Sequence, residues 1–197
     1  MSETLNLVKA VPGQKVDLTK GNPGLKTLKV ELGWDPNTSA SPKTFDLDAF
    51  CIALNDQGKV GDVSNVCYFG NLSTLSGAVS HSGDNLTGQG DGADETITVQ
   101  LDKIPANIHR LVFAVAIYQA AEKGQNYGMV KNTFVQVVDA DTKNALVRFD
   151  PSEDASVFTG LRLAAIYRNN GEWKFEATPT DQAGYNGDIN TLVGMYQ

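Results

Sequence analysis

Leu28, Val30, Leu32 and Trp34 alternate with Lys29, Glu31 and Gly33, the period-2 signature of a strand that buries one face in a sheet. Strand-like segments recur along the chain: Thr27 to Trp34, Phe45 to Asn55, Asn65 to Phe69, Glu95 to Leu101, Arg110 to Ile117, Thr133 to Asp139, Ala145 to Phe149, Val157 to Tyr167 and Glu172 to Thr178. Most are β-branched or aromatic and bounded by turn residues. Between Tyr167 and Trp173, the run Asn169-Asn170-Gly171-Glu172 predicts a tight hairpin, because Asn and Gly tolerate the positive φ such a loop requires. Helical periods are scarce. Gln119 to Lys131 and Ile189 to Met195 are the two places that could hold a helical turn or two. Strands joined by short turns predict an all-β fold, an antiparallel β-sandwich with one or two short helices. No linker or repeat interrupts the 197 residues, so residues 1–197 read as one domain. The Ser/Pro-rich stretch Asn37 to Thr44 reads as a loop.

Charge narrows the function. With 16 Lys and Arg against 23 Asp and Glu, the net charge is -7 and the pI is near 4.7. Proteins that neutralise phosphates cluster Lys and Arg, which this chain does not, so nucleic acid is not an expected direct ligand. No stretch approaches the run of about 18 apolar residues that a membrane span needs. The start, Met-Ser-Glu-Thr, lacks the charged-then-apolar layout of a secretory signal, and a cytoplasmic, non-membrane-spanning protein is expected. Cys51 and Cys67 each sit in an apolar run and read as buried, reduced thiols. Two His and two Cys without tight spacing do not make a zinc site.

The carboxylates concentrate in the segment from Gly83 to Glu95, where Asp84, Asp91, Asp94 and Glu95 are interleaved with Gly83, Gly88, Gly90 and Gly92. Calcium takes about six to eight oxygen ligands, from carboxylates, carbonyls and water, so its site needs acids plus a backbone free to turn carbonyls inward. Glycines such as Gly88 and Gly90 supply that freedom. The acids do not fall at EF-hand positions, and a strand rather than a helix follows. A phosphate cradle is excluded too, since it needs Gly-Lys-Ser/Thr opening a helix. A second acidic pair, Asp46 and Asp48, shares one strand face at a spacing of about 6.5 Å. That face continues as Phe50, Ile52 and Leu54, which puts the carboxylates at the rim of a core. Two such carboxylates repel unless a cation or donors offset their charge, although an acid-and-glycine loop is also what a solvated turn looks like. His81 could orient a ligand or be structural; His109 reads as surface, and Trp34 and Trp173 as packing residues.

Five motifs carry a resemblance over most of the length: Leu32-Gly33-Trp34-Asp35, Phe45-Asp46-Leu47-Asp48-Ala49, Gly83-Asp84-Asn85-Leu86-Thr87-Gly88, Gly124-Gln125-Asn126-Tyr127-Gly128, and Tyr167-Arg168 through Gly171-Glu172-Trp173-Lys174-Phe175. The chain resembles the tellurite-resistance and stress-protein family typified by TerD. The resemblance implies a calcium-binding β-sandwich acting in bacterial resistance to tellurite and other chemical stress, alongside other products of the same gene cluster. It implies acidic site positions at Asp35, Asp46, Asp48, Asp84, Asp91, Asp94 and Glu95, with Asn71 and Asn85 as polar neighbours. One departure stands out: the family usually reads Gly-Asp-Asp-Glu where this chain has Gly92-Ala93-Asp94-Glu95, one carboxylate fewer.

The reading that follows is a non-catalytic, calcium-binding stress-response module whose ion orders acidic loops at the sandwich rim for partner interaction. A metal-dependent hydrolase using the same acids is the alternative, though no nucleophile elbow or Ser-His-Asp arrangement is legible. A third reading has Cys51 and Cys67 act on tellurite directly.

Overall fold

A computed structural model describes residues 7–35, 45–84, 92–151 and 157–197. Among them, fourteen strands form two sheets. The first runs, in order, β1 (Val8–Ala10), β11 (Ala145–Phe149), β10 (Phe134–Asp139), β3 (Thr27–Gly33), β8 (Glu95–Gln100), β7 (Val79–His81) and β6 (Ser73–Thr74). The second runs β2 (Lys15–Asp17), β13 (Glu172–Ala177), β12 (Gly160–Asn169), β9 (Arg110–Ile117), β4 (Leu47–Leu54) and β5 (Val66–Cys67), with β14 (Gly184–Tyr185) also paired to β12. The described pairs are antiparallel except β1 with β11, which is parallel. The expected β-sandwich is therefore what the chain forms.

Local chemistry explains the best-read elements. β3 alternates half-buried and buried residues, as its period-2 pattern requires. At the β12–β13 hairpin Asn169 faces Glu172, and Asn170 (φ 51°) with Gly171 (φ 83°) supplies two consecutive left-handed residues, the requirement of a two-residue turn matched to strand twist. The two segments read as helical do hold α1 (Ala120–Lys123) and α3 (Ile189–Gly194), and a third short helix, α2 (Thr180–Ala183), adds to the expected one or two. Its four residues are too few to show a helical period.

Two cores result. Between the sheets lie Leu28, Val30 and Leu32 of β3, Ile97 and Val99 of β8, Leu47, Ala49 and Cys51 of β4, and Leu111, Phe113 and Val115 of β9. On the far side of the second sheet a smaller core joins Phe50, Ile52 and Leu54 to Val112, Ala114 and Ala116, closed by Leu192 and Val193 of α3. All eight residues of β4 are buried as a consequence. The face that carries Asp48, Phe50, Ile52 and Leu54 therefore abuts the smaller core rather than the space between the sheets.

Arg168 fastens the hairpin to the loop before β9. Its Nε and Nη2 donate to the carbonyls of Ile108 (3.1 Å) and Ile104 (2.8 Å), and its guanidinium lies 4.4 Å from the centroid of the Trp173 ring. Arg168→Ala removes two charge-assisted hydrogen bonds and a stacked cation, an expected loss of about 2–3 kcal/mol in chemical denaturation. Arg168→Lys recovers only part of it, because an ammonium lacks the planar fork that reaches both carbonyls.

Candidate functional site

The site forms where the beginning of β4, in the second sheet, meets the connection that leaves β7, in the first. Asp46 precedes β4, its carbonyl accepting from Tyr118 N (2.7 Å), and Asp48 pairs in register with Ala116 of β9. Asp84 follows β7 by three residues. One carboxylate oxygen from each of Asp46, Asp48 and Asp84 lies within 4.8 Å of the others. Asp46 and Asp48 are buried while Asp84 is exposed, so the cluster opens to solvent on the Asp84 side. Asp46 Oδ1 is buried with no hydrogen-bond donor among the described residues. Oxygens this close, one of them without a donor, form a half-assembled cage for a hard cation, which wants several oxygens at about 2.3–2.6 Å.

A buried brace stands behind the cluster. Glu95, 1 % exposed, opens β8, and its Oε2 accepts from Ala49 N of β4 at 2.7 Å, a bond that crosses from one sheet to the other. The same oxygen lies 3.2 Å from His81 Nε2, within ion-pair reach although not aligned as a hydrogen bond. His81 Nδ1 accepts from Gly83 N (3.1 Å), while Nε2 lies on the Glu95 side of the ring. His81 is thus a structural brace that fixes Gly83, the residue before Asp84.

Electrostatics follow from this crowding. Burial pushes the Asp48 carboxyl up to about 8, and the charges of Asp46, Glu95 and Asp84 add to the effect. Burial also raises Asp46; Lys123 opposes the shift, while Asp84 and Glu95 reinforce it. Lys123 Nζ, at the end of α1, stands 3.7 Å from Asp46 Oδ2 and 5.2 Å from the centroid of the Tyr118 ring. A site that resists ionisation on its own has room for more positive charge than one ammonium supplies.

The other expected site residues lie elsewhere or have other attachments. Asp94 Oδ2 accepts from Trp34 N (2.8 Å) and Asp94 N donates to Leu32 O, so it ties the end of β3 to the start of β8. Gly33, between those contacts, packs so closely under Phe134 that a Cβ would collide with the ring, which accounts for the glycine in Leu32-Gly33-Trp34-Asp35. Asp35 accepts from Asn132 Nδ2 (2.7 Å), and Asn71 donates to Val66 O (2.7 Å) as part of a turn with Tyr68. Asn85, Gly88, Gly90 and Asp91, like the Asn37 to Thr44 stretch, fall outside the described residues. Sequence reasoning missed Lys123 and Tyr127. The Tyr127 hydroxyl is buried without a partner among the described residues, and burial together with the charges of Tyr185 and Asp48 holds its proton on. The motif Gly124-Gln125-Asn126-Tyr127-Gly128 and the helical reading of Gln119 to Lys131 point to that segment without giving either residue a role in the site.

The thiols lie apart from the cluster. Cys51 and Cys67 face each other across β4 and β5 as free, buried residues. Burial drives the Cys51 thiol well above its usual range and the Cys67 thiol to about 11, which disfavours the thiolate form of both.

Known proteins place this arrangement in context. The TerD domain model matches residues 5–196. General stress protein 16U of Bacillus subtilis is 42 % identical over 193 residues, 98 % of this chain and 97 % of that protein. The tellurium resistance protein TerD of Serratia marcescens is 38 % identical over 184 residues, 93 % of this chain and 94 % of its own length. Among solved structures, a homologue of the telluride resistance protein TerD from Streptomyces coelicolor superposes with a TM-score of 0.69 at 28 % identity, covering 86 % of this chain and 96 % of that one. No helix among the described residues is long and apolar enough to cross a membrane. Matched from residue 5 to residue 196 and similar along nearly its whole length to relatives named for stress and tellurium resistance, the chain belongs to the TerD domain family.

Proposed function

We propose that this chain is a non-catalytic calcium-binding module of the tellurite-resistance and stress-response type, its ion held by Asp46, Asp48 and Asp84. The observation that carries this is the buried Asp46 Oδ1, without a donor among the described residues, inside a three-carboxylate cluster. A buried carboxylate oxygen without a partner is costly, and a cation offsets that cost. The donors are all oxygen, which selects a hard cation over zinc or copper. Gly83 and Gly92, both with positive φ, stand on either side of the glycine-rich sequence that continues from Asp84. Adaptable glycine-rich backbone suits the large, irregular shell of calcium better than the strict octahedron of magnesium.

The ion's effect is to join the sheets. Asp46 and Asp48 belong to the second and Asp84 follows a strand of the first, so one cation replaces mutual repulsion with a shared ligand set. The rim then presents a fixed surface, the natural docking face for other products of a tellurite-resistance gene cluster. The hydrolase alternative has less to stand on: His81, the histidine braced beside the cluster, has no exposed side-chain surface and its Nδ1 is engaged by Gly83 N. General-base chemistry needs a group that reaches the substrate's proton.

Calcium is expected to raise the melting temperature by roughly 5–10 °C at a hundredfold excess over Kd, a stabilisation of about 2.7 kcal/mol. Magnesium at the same concentration gives a much smaller shift. Differential scanning calorimetry of metal-stripped protein across both titrations checks this, and a melting curve indifferent to millimolar calcium removes the proposal.

A further inference from the structure

Next to the carboxylate cluster a cavity of about 670 Å³ opens between β9, α1 and the approach to α3. Its size falls in the range of about 300–1,000 Å³ typical of small-molecule sites. Phe50, Phe69 and Tyr118 form its aromatic side. These rings belong to a continuous series: Phe50 to Tyr68 at 6.2 Å, Tyr68 to Phe69 at 5.3 Å edge-on, and Phe69 to Tyr118 at 6.4 Å edge-on. Phe69 is 41 % and Tyr118 43 % exposed, an unusual state for neighbouring rings in a chain that buries most of its aromatics.

The cavity's charge has one sign. Asp48, Glu122 and Asp188 are its acidic lining residues, and no Lys or Arg is among the lining. Asp188 is held in place as a carboxylate by the N–H groups of Asn190 (2.9 Å) and Thr191 (3.2 Å). An anionic ligand would meet repulsion from Glu122 and Asp188, the two exposed carboxylates of the lining. A neutral apolar ligand would leave the carboxylates without purpose, and a bare metal ion would make no use of the rings. Aromatic faces and carboxylates together are the chemistry that recognises an ammonium or guanidinium group. The fold already satisfies that chemistry once with its own side chain, because Lys123 Nζ sits between the Tyr118 ring and Asp46.

We propose that this cavity binds an organic cation, an ammonium or guanidinium group carried on an apolar skeleton, with the skeleton against Phe50, Phe69 and Tyr118 and the charge towards Glu122 and Asp188. Phe69, Tyr118, Glu122 and Asp188 stand outside the calcium cluster, so this site does not depend on the calcium reading.

The test is isothermal titration of the full chain with three probes of one shape: phenethylammonium, phenethyl alcohol and phenylacetate, each with calcium and with chelator. Saturable binding of phenethylammonium is expected, with the alcohol at least tenfold weaker and phenylacetate not bound. Phe69→Ala removes one wall, and Ala121→Trp, at an exposed lining position on α1, fills the mouth; each weakens phenethylammonium at least tenfold and leaves the calcium response intact. Equal binding of the three probes, no saturable binding of the cation, or affinity unchanged in both variants overturns the proposal. Selective cation binding in a protein that ignores calcium would instead uphold this site while removing the metal reading.

Discussion

Asp48→Asn raises the stability of the calcium-free protein and abolishes its response to calcium. The two effects have one cause. Asp48 is 6 % exposed and surrounded by Asp46, Asp84 and Glu95, so its carboxyl titrates at about 8 in the fold against 3.8 when unperturbed. At neutral pH folding must therefore bring a proton to Asp48, at a cost of about 1.4 kcal/mol for each unit between the unperturbed value and the solution pH. Asn has nearly the same shape and carries no charge to neutralise, so the variant escapes that cost and gains up to a few kcal/mol. It also loses an anionic ligand, which is expected to weaken calcium at least a hundredfold. Urea denaturation with and without calcium reads both changes. Reduced stability of the calcium-free variant would show that Asp48 contributes packing or hydrogen bonds instead of repulsion.

In calcium-free buffer the wild-type protein loses stability as pH rises from about 4 to about 8. A group whose folded value is raised holds its proton more tightly in the fold, so across that interval the native state binds more protons than the unfolded one. Stability is full below the unfolded value and declines until the folded value is passed, with a slope of up to about 1.4 kcal/mol per pH unit. Asp46, also raised, adds in the same direction. Saturating calcium removes the trend, because the ion binds the deprotonated carboxylates and its apparent affinity climbs by up to about tenfold per pH unit, about 1.4 kcal/mol, until Asp48 is ionised, which offsets the calcium-free loss. Denaturation midpoints at four or five pH values should fall with pH in chelator and stay nearly level in saturating calcium; Asp48→Asn should flatten the calcium-free slope.

Particular residues show how far the sequence could be read. Arg110–Ile117 and Ala145–Phe149 have the bounds expected of them, since both are largely apolar stretches carrying β-branched and aromatic residues, Val112, Phe113, Val115 and Ile117 in one and Val147 and Phe149 in the other. The β12–β13 turn was legible since Asn170 and Gly171 answer a backbone requirement that needs no partner. β1, β2, β6, β7 and β14 were not legible, as strands of two or three residues show no period and depend on the neighbour that pairs with them. The candidate site divides the same way. Asp46, Asp48 and Asp84 stand out by composition, whereas Lys123 and Tyr127 join them only through the packing of α1 and the turn after it.

By itself, the sequence determined the β-rich character, the acidic segments and the membership of the TerD family, since alternation, turn residues and motifs are local properties that survive without a fold. Tertiary structure alone decided which carboxylates face each other, that Glu95 crosses between sheets to Ala49, and that a cavity walled by rings lies beside them. Those depend on sheet register and on which face of β4 each core covers, and Coulomb interaction and burial act through distances in space that spacing along a chain does not encode.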